Sequence, residues 1–361
     1  MTIVTKQLLL LTVTAILTAC NSFGPDALRG THPLYNDAIV GSMNDQFIQN
    51  VVRLHYRDPV FFLDVASVTA SMKLDMSGGL DQASNQLNGG PNILKYSLGA
   101  DYSTSPTISF APLQGEGFVK SILSPIPIEA LFALSGSGWN AQRVFGLCVE
   151  RINGIENAPS ASGPTPSKAP NPDSKLKRLL LLMEVVSHAQ LIAPRINPKT
   201  NEPQLEIKSS PVFREQIREI KELLGLDQSL EVFNVNGDFL GSRPDTISIR
   251  TRSLMSIFFY LSHHVDSPQS HKEEGLVTVT HNNDGSEFDW GTTAAGKLFH
   301  IRQSTEEPDM AFVAIPYRGY WFYLTDNDLE SKSTFMLLMQ LFRLQAGAAK
   351  SAGPTLTIPV R

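Results

Sequence analysis

The chain has 361 residues, of which 42% are hydrophobic and 18% charged, and its formal net charge at pH 7 is −5. This apolar content is sufficient for one or two packed cores at this length. A mildly acidic chain lacks the basic footprint of nucleic-acid-binding proteins, so no nucleic-acid partner is expected. The chain contains two cysteines, Cys20 and Cys148, and the first lies directly after the most apolar run.

The N-terminal segment has the layout of a secretory signal peptide. Residues 1–7 carry one positive charge, at Lys6, and the run from Leu8 to Leu17 is mostly aliphatic and uncharged. This run of about ten residues is too short to span a bilayer, which needs about 20. A charged start, a short apolar middle and small residues before a cleavage point are typical of export signals.

The end of this run, Leu17-Thr18-Ala19-Cys20, resembles the lipobox of bacterial lipoproteins. The resemblance implies removal of residues 1–19 and acylation of Cys20, so that fatty chains hold the protein at a membrane. Asn21, in place of an aspartate, implies the outer membrane in the sorting rule of such lipoproteins, with the body facing the periplasm. Cys148 would then be the single free thiol, and we interpret it as a buried apolar residue. The alternative is an ordinary signal peptide followed by a cysteine by chance.

We predict a tether and two α+β domains. Residues 20–33 form the tether, residues 34–153 the N-terminal domain and residues 175–361 the C-terminal domain. Between the domains, residues 154–174 are rich in proline, serine, alanine and asparagine and nearly lack large apolar residues. Such a segment buries too little surface to become ordered, which predicts a linker or a long exposed loop.

The N-terminal half begins with a helix and a long strand. Apolar residues recur at three- and four-residue spacing from Ile39 to Leu54, which predicts an amphipathic helix that ends before Pro59. From Ala66 to Met76, apolar and polar residues alternate, which predicts a strand with one solvent-exposed face. Further elements are predicted as strands at 93–102 and 107–112, in an antiparallel meander, and as helices at about 114–134 and 139–152.

The C-terminal half mixes helices with a second predicted meander. Caps and apolar stripes predict helices at 175–192, from Ser210-Pro211 to Gly225, over 254–265, and from Asp326 or Asn327 to about Ala346. Strands are predicted at 229–235, 246–250, 275–281, 297–303, 310–317 and 320–325. The predicted class is therefore α+β, with antiparallel β-meanders packed with helices in one large or two smaller domains.

Three short motifs have chemical meanings that their contexts do not support. Gly136-Ser137-Gly138 fits a dinucleotide loop but follows a helical rather than a strand-like segment. Ser174-Lys175-Leu176-Lys177 has the serine–lysine spacing of penicillin-binding enzymes without their companion motifs, so Ser174 is interpreted as a helix start. His263 and His264 are adjacent at a helix end, where neighbouring side chains diverge and do not chelate one metal ion. We therefore predict no catalytic residue, no metal and no cofactor.

Two clusters have the composition of an interaction surface. Arg250 and Arg252 lie where a predicted strand joins a helix, and aromatic residues surround a glycine turn at Gly319. Tyr, Trp and Arg are enriched in binding hot spots. The predicted interaction surface consists of Arg250, Arg252, Tyr317, Arg318, Tyr320, Trp321, Asp326 and Asp328. The alternative is an amphipathic hairpin with one core face and with arginines paired to nearby acids.

The segments FFLDVASVTAS and YRGYWFYLTDNDLESKSTF resemble a family of uncharacterised bacterial lipoproteins, which implies no particular activity. With the lipobox, this resemblance predicts an outer-membrane-anchored lipoprotein that acts as a non-enzymatic accessory or scaffold subunit of an envelope assembly. The expected partners are the membrane, through the lipid anchor, and an envelope protein. Two alternatives stay open. A carrier of an amphiphilic ligand needs an apolar cavity, and an envelope hydrolase needs a serine or carboxylate within hydrogen-bond reach of a base in a cleft.

Overall fold

The computed structural model describes most of the chain from residue 33 onward. The described ranges are 33–83, 93–164, 169–170, 174–237, 243–347 and 356–359. The predicted signal peptide, the lipidation of Cys20 and nearly all of the predicted tether lie outside these ranges. The described residues form helices together with antiparallel and mixed sheets, which confirms the predicted α+β class.

The secondary-structure elements have the following bounds. The helices are α1 (residues 33–55), α2 (Glu116–Leu123), α3 (Ile128–Gly136), α4 (Ala141–Cys148), α5 (Ser174–His188), α6 (Arg214–Leu224), α7 (Leu254–Ser262), α8 (Gln269–Glu273) and α9 (Leu329–Gly347). The strands are β1 (Leu63–Ala83), β2 (Ile93–Pro112), β3 (Val149–Ile152), β4 (Ile155–Glu156), β5 (Ile192–Ile196), β6 (Pro203–Ile207), β7 (Val232–Asn236), β8 (Thr246–Thr251), β9 (Arg302–Ser304), β10 (Ala311–Tyr317), β11 (Tyr320–Thr325) and β12 (Leu356–Pro359).

The chain folds into two compact units. The first contains the described residues of Met1–Val60 and Val119–Ala349, and the second contains those of Phe61–Phe118 and Lys350–Arg361. This division differs from the predicted boundary at 154–174, because strands from both sides of that segment share one sheet.

Helix α1 supplies part of the core of the first unit. Phe47 is fully buried, and its ring meets aromatic rings on α7 and α9. Val51 and Leu54, about one and two turns further on, are buried as well. The helix predicted from this spacing is confirmed, and it ends before Pro59 as expected.

The six-stranded sheet of the first unit has the order β4-β3-β8-β7-β6-β5. Its neighbouring strands are antiparallel except for the parallel pair β7–β8. Strands β5 and β6 were not predicted, because Pro194 and Pro203 interrupt the sequence pattern there. Both positions suit proline, since Pro194 lies on an edge strand and Pro203 is the first residue of its strand.

The described residues between 154 and 164 are partly buried. Ile155, Asn157 and Ala161 are at most 3% exposed, and Ile155 begins strand β4. The Asn157 amide donates to two carbonyl oxygens at the end of α4 and the start of β3, at 2.7 Å each. An exposed loop is therefore the wrong description of residues 155–162, where hydrogen bonds rather than large apolar side chains order the backbone.

Two predicted elements change type or disappear. The helix predicted over 139–152 ends at Cys148, and the chain continues directly as β3, which pairs with β8. The strand predicted at 275–281 forms no ladder in the described chain, where its single pairing is a bridge between His281 and Glu287. Ladder pairing depends on a partner that is distant in sequence, so the local pattern was insufficient in both places.

Two helix starts lie further along the chain than predicted. Helix α6 begins at Arg214 rather than at Pro211, and it ends as predicted at Gly225, which adopts a left-handed conformation. Helix α9 is capped by Asp328, whose carboxylate accepts hydrogen bonds from the backbone N–H and the hydroxyl of Ser331. The predicted caps, Asp326 and Asn327, precede this position.

The second unit is a three-stranded sheet with the order β1-β2-β12. Strands β1 and β2 pair antiparallel along their full lengths, from Leu63 opposite Pro112 to Ala83 opposite Ile93. The two strands predicted between residues 93 and 112 are therefore one continuous strand.

Candidate functional site

The first unit contains a polar cavity of about 560 Å³, a volume within the range of ligand pockets. Its wall combines the end of α1, the segment after α7, helix α8, residues 278–290 and the region of β9. The titratable and polar side chains that line it include His55, His263, His264, Asp266, Ser267, Lys272, Glu287, Asp289, His300 and Gln303. We call it the histidine cavity.

The segment between α7 and α8 has a defined course along the cavity wall. Val265 forms a bridge with Ile301, and the Asp266 N–H donates to the Ile301 carbonyl oxygen at 2.9 Å. Ser267 precedes Pro268, and a residue before proline is biased toward extended backbone angles. The backbone of Ser267 is thus constrained on both sides.

Ser267 and His55 form a hydrogen-bonded pair in the cavity wall. Ser267 Oγ lies 2.6 Å from His55 Nε2, and His55 Nδ1 lies 2.8 Å from the carbonyl oxygen of Ser262. Because a carbonyl oxygen only accepts, Nδ1 carries the proton, and Nε2 of the neutral ring is then the acceptor. The Ser267 hydroxyl therefore donates to His55.

The His55 imidazole is neutral at pH 7. Burial lowers the pKa of His55 to about 4, the charge of Lys272 adds to this shift, and the hydrogen bond to Ser262 opposes it. The unprotonated Nε2 is therefore the acceptor of the Ser267 hydrogen bond at neutral pH. A serine hydroxyl that donates to a neutral imidazole has the geometry of a nucleophile–base pair, although the lowered pKa makes His55 a weaker base than a free imidazole.

A second histidine pair lies in the same wall. The rings of His264 and His300 stack with centroids 4.1 Å apart, and His300 Nε2 lies 2.7 Å from Asp266 Oδ1. Burial lowers the pKa of His264, and the charge of His300 adds to the effect. Burial favours a higher pKa for Asp266, but the hydrogen bond and charge of His300 outweigh it and lower that pKa.

The two adjacent histidines at the end of α7 have different neighbours. His263 stacks on Trp290 with centroids 4.5 Å apart, whereas His264 stacks on His300. Burial lowers the pKa of His263 to about 4. Across the described ranges, no group of three or more His, Cys, Asp or Glu side chains is placed to hold a metal ion.

The predicted aromatic surface packs in part on the end of α1. The Tyr317 hydroxyl donates to the Asp58 carboxylate, and Arg318 donates to the same carboxylate at 2.8 Å. The Arg318 guanidinium also lies 5.0 Å from the ring centroid of Tyr56. These contacts agree with the alternative of a hairpin whose arginine is paired to a nearby acid.

The remaining predicted residues of this region have mixed roles. Tyr320 packs edge-on against a histidine of α8, and Trp321 is half-buried on β11. Asp326 is exposed and forms an ion pair with Lys332 at 2.6 Å. Asp328 caps α9, so its carboxylate is engaged within the unit.

The two predicted arginines at the β8–α7 junction lie in opposite environments. Arg250 is exposed, and its Nε is 3.1 Å from a carboxylate oxygen of Glu150. Arg252 is only 1% exposed, so its assignment to an interaction surface is wrong. Its guanidinium is buried because backbone carbonyl oxygens and the Ser162 hydroxyl satisfy its donors.

A second cavity of about 560 Å³ has a wall that is more apolar than polar. It lies among α3, α4, α5 and the start of the β5–β6 pair, and its apolar lining includes Phe132, Trp139, Phe145, Met183 and Leu205. The buried hydroxyl oxygen of Ser135, which also lines it, has no hydrogen-bond partner in the described chain. Its volume lies within the range of ligand pockets, and its wall offers both apolar and polar contacts.

The sequence did not reveal the pair of Ser267 and His55. The two residues are 212 positions apart, and neither belongs to a short motif with a known catalytic spacing. Their approach depends on how the end of α1 packs beside the segment after α7, which no local pattern encodes.

Comparison of the chain with protein-family models, with curated proteins and with solved structures gives no match. Among the helices of the described ranges, none combines the length and the apolar character that crossing a membrane requires.

Proposed function

We propose that this chain is a lipid-anchored subunit of an outer-membrane assembly, and that copies of it join edge to edge through the sheet of the second unit. The observation that carries this proposal is the length of the β1–β2 pair, whose outer edges have, within the described ranges, no neighbour on β1 and only β12 along part of β2. The proposal retains the scaffold function predicted from the sequence and replaces the aromatic surface with a different means of association.

The open edges are unusually long. Strand β1 has 21 residues, which at about 3.3 Å per residue extends about 70 Å, whereas strands of five or six residues are typical. In the described chain, the outer edge of β2 is covered by β12 only at Thr107–Phe110. Pro106, which donates no ladder hydrogen bond, precedes the covered part, and Ile93–Ser105 has no second neighbour there. Long open edges are templates for pairing with another strand.

The register of the pair places apolar residue types of the two strands opposite each other, and polar types likewise. Leu74 lies opposite Tyr102 and Leu80 lies opposite Tyr96, so apolar residue types occupy matching positions on both strands. Polar types fall in the alternate positions, where Lys73 is opposite Ser103. Because side chains alternate between faces, one face of the sheet is apolar and the other polar along most of its length.

A second copy of this chain is the partner that these strand edges favour. The β1 edge of one copy and the β2 edge of the next run in opposite directions, so pairing them continues the antiparallel alternation. Such a head-to-tail contact is heterologous, and it forms a ring where the rotation between copies closes. The apolar face then continues from copy to copy and lies against the acyl chains in which the Cys20 anchor is held.

A shortened hairpin tests the proposal. Replacing residues 74–102 with Asn-Gly joins Lys73 to Ser103, which are opposite partners, through a two-residue turn. Replacing residues 84–92 with Asn-Gly joins Ala83 to Ile93 in the same way and leaves both strands at full length. Native mass spectrometry of the full chains in detergent should show defined oligomers for the parent and the loop variant, and monomers for the shortened variant.

Either of two results would contradict edge-to-edge assembly. The parent chain could remain monomeric at every concentration, or the shortened variant could assemble as well as the loop variant. The tryptophan fluorescence of the first unit serves as the control, because all three tryptophans, Trp139, Trp290 and Trp321, lie in that unit. A folded first unit in both variants keeps the comparison valid.

The anchor requires its own experiment. Intact-mass spectrometry should show a diacylglycerol on the Cys20 sulfur and a chain that begins at this residue. The Cys20→Ser variant should leave the membrane fraction. An unacylated chain that begins at residue 1 would contradict the anchoring part of the proposal and would leave edge pairing as a separate question.

The apolar cavity supports carriage of an amphiphile as a second candidate. A fluorescent fatty acid should bind the full chain stoichiometrically, and the Ser187→Trp variant, which fills the cavity from α5, should weaken binding at least about tenfold. Equal binding by the parent and by Ser187→Trp would exclude this cavity as the binding site.

A further inference from the structure

We infer that the histidine cavity is a catalytic site for ester hydrolysis, with Ser267 as the nucleophile and His55 as the general base. This inference is independent of the proposed assembly, because it rests on the first unit alone. It assigns an activity to residues that the sequence analysis left without a function.

Three groups occupy the three positions that nucleophilic catalysis by serine requires. The Ser267 hydroxyl is 2.6 Å from His55 Nε2, and the Ser262 carbonyl oxygen is 2.8 Å from His55 Nδ1. The carbonyl fixes the tautomer and orientation of the ring, which is the role of the third group in a catalytic triad. The nucleophile lines a cavity with room for a small acyl group.

The charges of the cavity select the class of substrate. Asp266, Glu287 and Asp289 line it together with one lysine and no arginine among its described lining residues, and that lysine, Lys272, pairs with Glu287 at 2.6 Å. An excess of carboxylates disfavours an anionic ester and favours a neutral or positively charged one. The Lys272 ammonium donates to both carboxylate oxygens of Glu287, at 2.6 and 2.9 Å, so its charge is already paired within the wall.

A buried acceptor in the same wall provides a second observation. Gln303 lines the cavity, and its buried amide oxygen has no hydrogen-bond partner in the described part of the chain. Buried polar atoms are satisfied in the great majority of cases, so an unpaired acceptor beside the cavity is an exception that marks this wall.

The reaction balances with water as the co-reactant. Ser267 Oγ attacks the ester carbonyl carbon while its proton passes to His55 Nε2, and the ring then returns this proton to the departing alkoxide. Water attacks the acyl-serine, gives one proton to His55 and releases the carboxylic acid as Oγ recovers the proton. No oxidant, metal or further reactant takes part.

Active-site labelling tests the assignment directly. The full chain in mild detergent is incubated with a fluorophosphonate probe, and the modified peptide is identified by mass spectrometry. We expect modification at Ser267, its loss in Ser267→Ala, and full modification in Ser270→Ala, which removes an exposed serine of α8. A native chain left unmodified at Ser267 would overturn the proposal even if Ser267→Ala fails to fold.

Ester hydrolysis provides the second readout. With p-nitrophenyl acetate, Ser267→Ala and His55→Asn should each lose about 10²- to 10⁴-fold in rate, while Ser270→Ala keeps the parent rate. A carboxylated phenyl ester should react more slowly than the neutral one. Unchanged hydrolysis by a folded Ser267→Ala chain would show that this serine is not the nucleophile.

Discussion

Replacing Arg252 with methionine should destabilise the first unit strongly. The guanidinium donates to the carbonyl oxygens of Leu147 and Val149 at 3.1 and 2.7 Å, and it also donates to the carbonyls of Asn157 and Ala158. These contacts join the end of α4, strand β3 and residues 157–158 to the start of α7. Methionine keeps an apolar side chain of similar length and removes every donor.

The expected loss of unfolding free energy is the balance of two opposing contributions. A hydrogen bond to a charged donor contributes about 1.5 to 3 kcal/mol, so the contacts together represent several kcal/mol. The burial of a charge opposes this, and removing one partner of a buried polar network typically costs about 3 to 5 kcal/mol. Arg250→Met is the matched control, since Arg250 is exposed and its ion pair with Glu150 contributes at most about 1 kcal/mol.

Guanidinium chloride unfolding, followed by tryptophan fluorescence, measures the difference in unfolding free energy between the two variants. The signal reports on the first unit, which holds all three tryptophans. Arg252→Met should unfold at a clearly lower denaturant concentration than Arg250→Met, which should be close to the parent. If both variants lose less than about 1 kcal/mol, or if Arg250→Met loses more, the buried arginine does not organise this region.

Three further predictions concern other parts of the first unit. The pKa values of His55 and His263 are lowered to about 4 from 6.5, so the unfolded chain binds more protons below pH 6.5. Stability should therefore fall between pH 6.5 and 4, by about 1 to 2 kcal/mol per histidine at pH 5, and equal unfolding midpoints at pH 7 and 5 would contradict this. Burial raises the pKa of Cys148 to about 12, so its thiol should stay unmodified by iodoacetamide in the native chain and react once the chain is unfolded. Gly296→Ala should destabilise the unit, because a Cβ there would lie 1.9 Å from the carbonyl oxygen of Trp290. An unfolding curve like that of the parent, followed by tryptophan fluorescence, would show that the backbone moves aside at little cost.

Local patterns predicted the elements whose stability depends on neighbouring residues. The apolar spacing of Phe47, Val51 and Leu54 sufficed for α1, and alternation from Ala66 to Met76 identified the central part of β1 but not its continuation to Ala83. Caps were predicted less well, since Gly225 ends α6 as expected but Asp328, and not a preceding residue, caps α9. Several polar residues at one helix start compete for the same backbone donors, and only the packed helix decides between them.

Composition alone was misleading for the segment after β3. Its small and polar residues predicted exposure, yet Asn157 and Ala161 are buried because a distant arginine and neighbouring carbonyls satisfy the polar groups. The same pairing removed Arg252 from the predicted interaction surface. Burial of a polar group depends on partners far along the chain, and a hydropathy pattern does not contain them.

The sequence by itself determined the α+β class, most of the helices, the amphipathic character of the long hairpin and the prediction of a lipid anchor at Cys20. Each of these depends on residues within one or a few turns of each other. The tertiary structure decided the open sheet edges, the burial of Arg252 and the meeting of Ser267 with His55. These features require contacts across long stretches of chain, which form only when whole elements pack against one another.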